Sequence, residues 1–299
     1  MLPIRPVLAL SLAAALVLSS CGGDDNSTDD EVIVNPTINV GRTPEPISQL
    51  MAEIYSQGLE NAGYRVGRKD PVADQATAIA GLEAGNVQLI SDFSGTLLSY
   101  LAANGGTGSD AVAVEDQMTA LREQLPDTLT VFEPAPVDNG IVVACGAAAV
   151  EELTLAKISD LADADITLGA TTEFGDSATG LAALNTAYET ELTITPVDDV
   201  AAAVVDGTVD CGALPALTPS MVVDGLIMLE DDKTFAAANA LVPLMTLTAG
   251  QPDVQAVLDA INVRLSTDVM RSLLVKLDTG EESYDAIAKQ FLASIATEQ

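Results

Sequence analysis

The chain has 299 residues and a formal charge of −32, with 12 basic side chains against 44 acidic ones. So few Lys and Arg cannot neutralise phosphates, which argues against nucleic-acid binding and against attachment to an anionic lipid surface by charge. There is no His to act as a base, and a hydrophobic content of 48% is ample for one large core or two ordinary ones.

Residues 1–20 read as an address. Arg5 gives a positive start, VLALSLAAALVL (7–18) is a twelve-residue apolar run, and LSSC (18–21) ends on Cys21 among small residues. A bilayer span needs about 20 apolar residues, so this run is too short to cross one. LSSC resembles the bacterial lipobox, which implies cleavage before Cys21 and acylation of its thiol. The alternative is an ordinary secretory peptide with a free Cys21. Residues 21–36, beginning CGGDDNSTDDE, then form an acidic flexible tether. Several acyl chains, at about 0.8 kcal/mol per buried CH₂, would hold the protein on the extracytoplasmic face of the cell membrane.

Beyond the tether, strand and helix signals alternate. TINVG (37–41) predicts a strand, and Ile47, Leu50, Met51, Ile54, Tyr55 and Leu59 follow helical spacing between Pro46 and Gly63. YRVGRK (64–69) predicts a strand, ATAIAGLEAG (76–85) a helix and VQLI (87–90) a third strand. The residues Asp92 to Thr96 then turn the chain into a helix, GTLLSYLAANGG (95–106). This βαβ rhythm implies a mostly parallel sheet whose ligand sites lie beyond the carboxyl ends of its strands. LTVF (129–132) closes the series, and EPAPVDNG (133–140), with two prolines and a glycine, reads as an extended crossover.

A second series follows: GIVVAC (140–145), a helix near 147–153, ITLGA (166–170), a helix near 178–188, ELTITPV (191–197), a helix over 198–205, TVDCGAL (208–214) and LIMLED (226–231). NALVPLMTLTAG (239–250) predicts a return strand, and helices over about 252–264, 267–277 and 282–297 finish the chain. The expected lobes are residues 37–137 with 239–299, and residues 138–238. Two α/β lobes joined by two crossover strands describe a hinged clamp with a small-molecule cleft. Tyr55, Tyr64, Met51, Met221, Met228 and Met245 are expected in the cores. Cys145 and Cys211 lie in strand-like segments 66 residues apart. In an oxidising compartment they are disulfide candidates, with about 4 kcal/mol of chain entropy at stake. Otherwise they are two buried small hydrophobes.

The segments INVGRTPEPISQLMAEIYSQGLENAGYRV, GLEAGNVQLISDFSGTLLSYL, FEPAPVDNGIVVA, KISDLADADITLGATTEF, VVDGTVDCGAL and LEDDKTFAAANALVPLM resemble, in that order, the glycine betaine, carnitine and choline type (OpuAC-like) substrate-binding proteins of ABC importers. The resemblance covers about residues 37–297. It implies a type II periplasmic-binding-protein fold that closes on a ligand and presents it to a membrane permease. Relatives that bind quaternary ammonium groups cage them with aromatic faces. Their motif P-E-Y-T-G-T is similar to SDFSGT here, so the first ring falls on Phe93 and Asp92 replaces a glutamate. The second ring position falls on Ile141, the third near Pro215 and the fourth near Ala238. A basic residue common after the first strand falls on Thr43, with Arg42 adjoining. Three missing rings remove about 1.5 to 6 kcal/mol of cation binding, at about 0.5 to 2 kcal/mol each. Tyr100, Asp92 and Asp138 are candidate replacements.

The candidate ligand residues are therefore Arg42, Thr43, Asp92, Phe93, Ser94, Thr96, Asp138, Asn139, Ile141 and Thr172. Ser94 to Thr96 can offer hydroxyls and amides to a carboxylate at a helix start, or simply cap that helix. Arg42 can pair with the same carboxylate or stand in a solvated loop. Asp138 and Asn139 can face the cleft or satisfy a turn. Thr171, Thr172 and Glu173 end a strand or cap the next helix. An enzyme is disfavoured, because there are no metal-spaced ligands, no G-x-S-x-G and no P-loop. The expectation is an extracytoplasmic solute-binding lipoprotein, monomeric and without a cofactor, that delivers a small osmolyte or amine to an ABC permease. The alternative is a sensing or structural envelope lipoprotein with the same clamp.

Overall fold

The computed structural model describes residues 36–109, 111–280 and 282–297; the signal segment, Cys21 and the tether through residue 35 lie outside them. The first elements are β1 (Ile38–Val40), α1 (Pro46–Asn61), β2 (Val66–Arg68), α2 (Gln75–Glu83), β3 (Leu89–Phe93), α3 (Ser94–Ala103), α4 (Val114–Gln124) and β4 (Leu129–Val131). Then come β5 (Ile141–Cys145), α5 (Ala147–Leu153), β6 (Leu168–Ala170), α6 (Thr172–Asp176), α7 (Leu181–Tyr188), β7 (Ile194–Pro196), α8 (Val200–Val205), β8 (Cys211–Pro215), α9 (Ser220–Val223) and β9 (Ile227–Met228). The chain returns through β10 (Leu241–Thr246) and ends in α10 (Pro252–Asn262), α11 (Thr267–Asp278) and α12 (Tyr284–Ala296). Among the described residues, no helix is long and apolar enough to cross a membrane.

The strands form two sheets, ordered β2-β1-β3-β10-β4 and β7-β6-β8-β5-β9, each covered by helices as an α/β lobe. Leu50, Met51, Ile54, Tyr55 and Leu59 give α1 one apolar stripe, and all are buried in the first core. Pro46 occupies the first turn, where its missing N–H costs no hydrogen bond. Ala78, Ile79 and Leu82 of α2, with Leu97, Leu98 and Leu101 of α3, fill the other side of this sheet. All six residues of β10 are buried, as befits an inner strand covered on both faces.

Each sheet is mostly parallel, as the βαβ rhythm implies: four of its five strands run the same way and one runs against them. Strand β10 enters from the second lobe and lies antiparallel between β3 and β4, and β5 lies antiparallel to both β8 and β9. Each return strand arrives from the opposite end, so it cannot run with its neighbours. Residues 92–96 are not a turn: β3 runs through Phe93 and α3 starts at Ser94. Cys145 and Cys211 face each other in register across β5 and β8 and are joined as a disulfide within the second core. Met228, expected in a core, is 51% exposed on the edge strand β9.

The crossovers lie side by side. Asp138 and Ala240 form an antiparallel bridge, and the Asn139 amide donates to the Asn239 carbonyl at 3.0 Å. Beside them, buried Arg271 of α11 donates Nε and Nη2 to the Ala216 carbonyl, at 3.0 and 2.7 Å, and Leu217 packs into the first core.

Candidate functional site

The first half of the site forms where β1 and β3 end and α1, α2 and α3 begin. A cavity of about 300 Å³ opens there, and Arg42, Thr43, Asp92, Phe93 and Thr96 all line it. The Thr43 amide donates to Ser48 Oγ at 2.9 Å, which fixes the loop after β1 against the start of α1. Arg42 lies in the wall with its Nε buried and without a hydrogen-bond partner. Asp92 is only 9% exposed. Its Oδ1 accepts from the Phe93 amide at 2.7 Å, and its Oδ2 accepts from Gln75 Nε2 at 2.8 Å. Burial pushes its pKa up to about 6, since a charged carboxylate loses its water there, and the two hydrogen bonds offset only part of that effect.

The start of α3 differs from expectation. Ser94 is fully buried: its hydroxyl donates to Gln117 Oε1 at 2.5 Å and accepts from the Ala240 amide at 2.9 Å. It therefore anchors the returning crossover rather than facing the cavity. The Gly95 and Thr96 amides donate to Asn239 Oδ1 at 3.0 and 3.2 Å, so the crossover itself supplies the cap that a ligand carboxylate was expected to take. Asp138 and Asn139 also serve the crossovers. Asp138 Oδ1 accepts from the Gly140 and Asn239 amides, and Asn139 Oδ1 accepts from the Leu217 amide at 3.1 Å. Neither lines the two half-sites. Tyr100 packs among the buried side chains of α3 and α4, away from the cavity.

The second half is a cavity of about 590 Å³ in the other lobe, at the carboxyl ends of β6 and β8 and the start of β5. Ile141 and Pro215 line it, as do Thr171, Glu173 and Phe174. Thr172 does not. Thr171 Oγ1 accepts from the Phe174 amide at 3.2 Å and so caps α6, which starts at Thr172. Asp199 caps α8 by accepting from the Ala202 amide at 2.9 Å, and it shares the cavity wall with Asp198. Ala238 lies elsewhere, its carbonyl accepting from Gln117 Nε2 at 2.7 Å.

The sequence reading missed Gln75 and Phe174. A ring four residues beyond ITLGA was the available signal for Phe174, and it lay outside the aromatic positions suggested by the resemblance. Among the described residues, none lines both cavities. Leu241 in the first and Ile141 in the second each sit just past a crossover, so the half-sites flank the crossovers.

The family model for the substrate binding domain of the ABC-type glycine betaine transport system matches residues 36–294. A solved glycine betaine/carnitine/choline ABC transporter structure shares 17% identity with a TM-score of 0.77, covering 86% of this chain and 98% of that one. Apo YehZ from Escherichia coli shares 18% identity with a TM-score of 0.72, at the same coverage of 86% and 98%. Lactococcal OpuAC, closed around glycine betaine, shares 11% identity with a TM-score of 0.55, covering 88% of this chain and 98% of that one. A search of curated protein sequences gave no match. With these two lobes and a family match across nearly the whole described body, the chain belongs to the substrate-binding domains of ABC-type glycine betaine transport systems, a solute-binding protein of type II periplasmic-binding-protein fold.

Proposed function

We propose that this protein is an extracytoplasmic lipoprotein, tethered through Cys21, that captures a small osmolyte or amine between its lobes and hands it to an ABC permease as a monomer. The observation that carries the reading is the pair of half-sites flanking two hydrogen-bonded crossovers, each placed at strand carboxyl ends. Residues 37–137 with 239–299 and residues 138–238 would then move as two bodies, with Asp138, Asn139 and Asn239 at the hinge.

Each half-site brings one ring, Phe93 or Phe174, and carboxylates that suit a cationic group. Arg42 offers an unused guanidinium N–H to an anionic group on the same solute. Two rings are fewer than an aromatic cage, so specificity is shifted from that of the betaine-binding relatives. Calorimetry of the full chain in detergent, against glycine betaine, proline betaine, choline and carnitine, tests the reading. Saturable one-site binding to at least one osmolyte or amine, weakened about 3- to 30-fold by Phe93→Ala, is expected. Tight glycine betaine binding would remove the shifted specificity, and no saturable binding to any small solute would remove capture altogether.

A further inference from the structure

We infer that the cleft selects a solute whose cationic nitrogen carries hydrogens, a primary or secondary ammonium, over its fully methylated counterpart. This rests on the capture reading above and names the ligand chemistry that the pocket walls favour.

The first cavity sets acceptors, with Arg42 beside them, into an apolar wall that holds one ring. Asp92 sits in its wall with each carboxylate oxygen engaged by a single donor, Gln75 or the Phe93 amide, which leaves acceptor capacity on both oxygens. The hydroxyl-bearing Thr43 and Thr96 line the same space. An ammonium with N–H groups can place two or three charge-assisted hydrogen bonds on such a set. A trimethylated nitrogen has no hydrogen to give, and its methyl groups hold the charge away from the carboxylate.

The counterpart of those lost hydrogen bonds would be ring faces, and here they are scarce. Among the described residues, Phe93 is the single ring lining the first cavity and Phe174, a residue 8% exposed, the single ring lining the second. A buried carboxylate in water's absence also gains most from a partner that satisfies its lone pairs, not from a charge alone.

Matched pairs separate the chemistry. Calorimetry of the full chain against ethanolamine and choline, glycine and glycine betaine, and 4-aminobutyrate and its trimethylated form should show the parent amine binding at least tenfold more tightly in the pair that fits. Asp92→Asn should weaken the parent amine tenfold or more and leave the trimethylated partner within about threefold. A trimethylated compound binding as tightly as its parent, or more so, overturns the inference and leaves capture by the clamp intact. If none of the six binds, the inference falls, while capture falls only if no small solute of any kind binds saturably.

Discussion

Asp92 is held in the folded protein at a cost, because burial disfavours its charge more than Gln75 and the Phe93 amide favour it. An unfolded aspartate titrates near 3.8 and this one near about 6, so the folded state keeps its proton longer. That contribution to stability is fully present below pH 3.8 and is lost as pH rises through about 6. The difference corresponds to about 2 to 3 kcal/mol. Asp92→Asn should therefore raise the stability of the ligand-free protein by up to that amount at pH 7.5 and by little near pH 4, read from urea unfolding at both. Asp74 and Glu45 line the same cavity with like charge and Arg42 with opposite charge, and all three are present in both variants, so the difference isolates Asp92. A cationic solute favours the carboxylate, so its affinity should fall as pH drops through about 6. Equal stability of the two proteins at pH 7.5 would contradict this account of the carboxylate.

At the scale of elements, the end of β3 and the start of α3 divide their residues between two tasks. Phe93 and Thr96 face the cavity, while Ser94 between them joins Gln117 to the returning crossover. Replacing Ser94 with Ala removes two buried hydrogen bonds and should cost about 1 to 3 kcal/mol of stability with solute affinity unchanged. A Ser94→Ala protein of native stability but weakened binding would return the hydroxyl to the ligand.

This division was invisible in the sequence, because neighbouring residues of one motif point to opposite sides wherever a strand passes straight into a helix. The elements themselves were legible, since α1 and α12 carry continuous apolar stripes and β10 is apolar throughout. The helix α4 escaped notice because only Gln117, Met118 and Leu121 of its VEDQMTALREQ are buried. The antiparallel insertion of β10 escaped too, since a strand's direction is decided by where the chain comes from and not by its side chains. Five of the ten candidate ligand residues, Arg42, Thr43, Asp92, Phe93 and Thr96, were placed together because the carboxyl ends of parallel strands converge. The roles of Asp138 and Asn139 could not be divided in the sequence, because crossover contacts and ligand contacts use the same polar side chains.

For the whole molecule, the crossovers make two sheets into one device. Hydrogen bonds between Asp138, Asn139 and Asn239 tie them, and the Arg271 to Ala216 contact braces the lobes beside them. The second lobe is stapled by Cys145 and Cys211 across β5 and β8. Asn239 links the crossovers to the cavity wall, because its side chain caps α3 where Thr96 lines the cavity. The proposed capture predicts that binding on one side of the crossovers moves the other lobe.

Hydrogen exchange of the full chain, with and without a saturating concentration of whichever of glycine betaine, choline and ethanolamine binds by calorimetry, tests that claim most directly. Both half-sites should gain protection together, over residues 41–48 and 89–96 in one lobe and 171–180 and 213–218 in the other. Protection confined to one lobe, or bound solute with no protection in either, would contradict closure of two lobes around a single small solute.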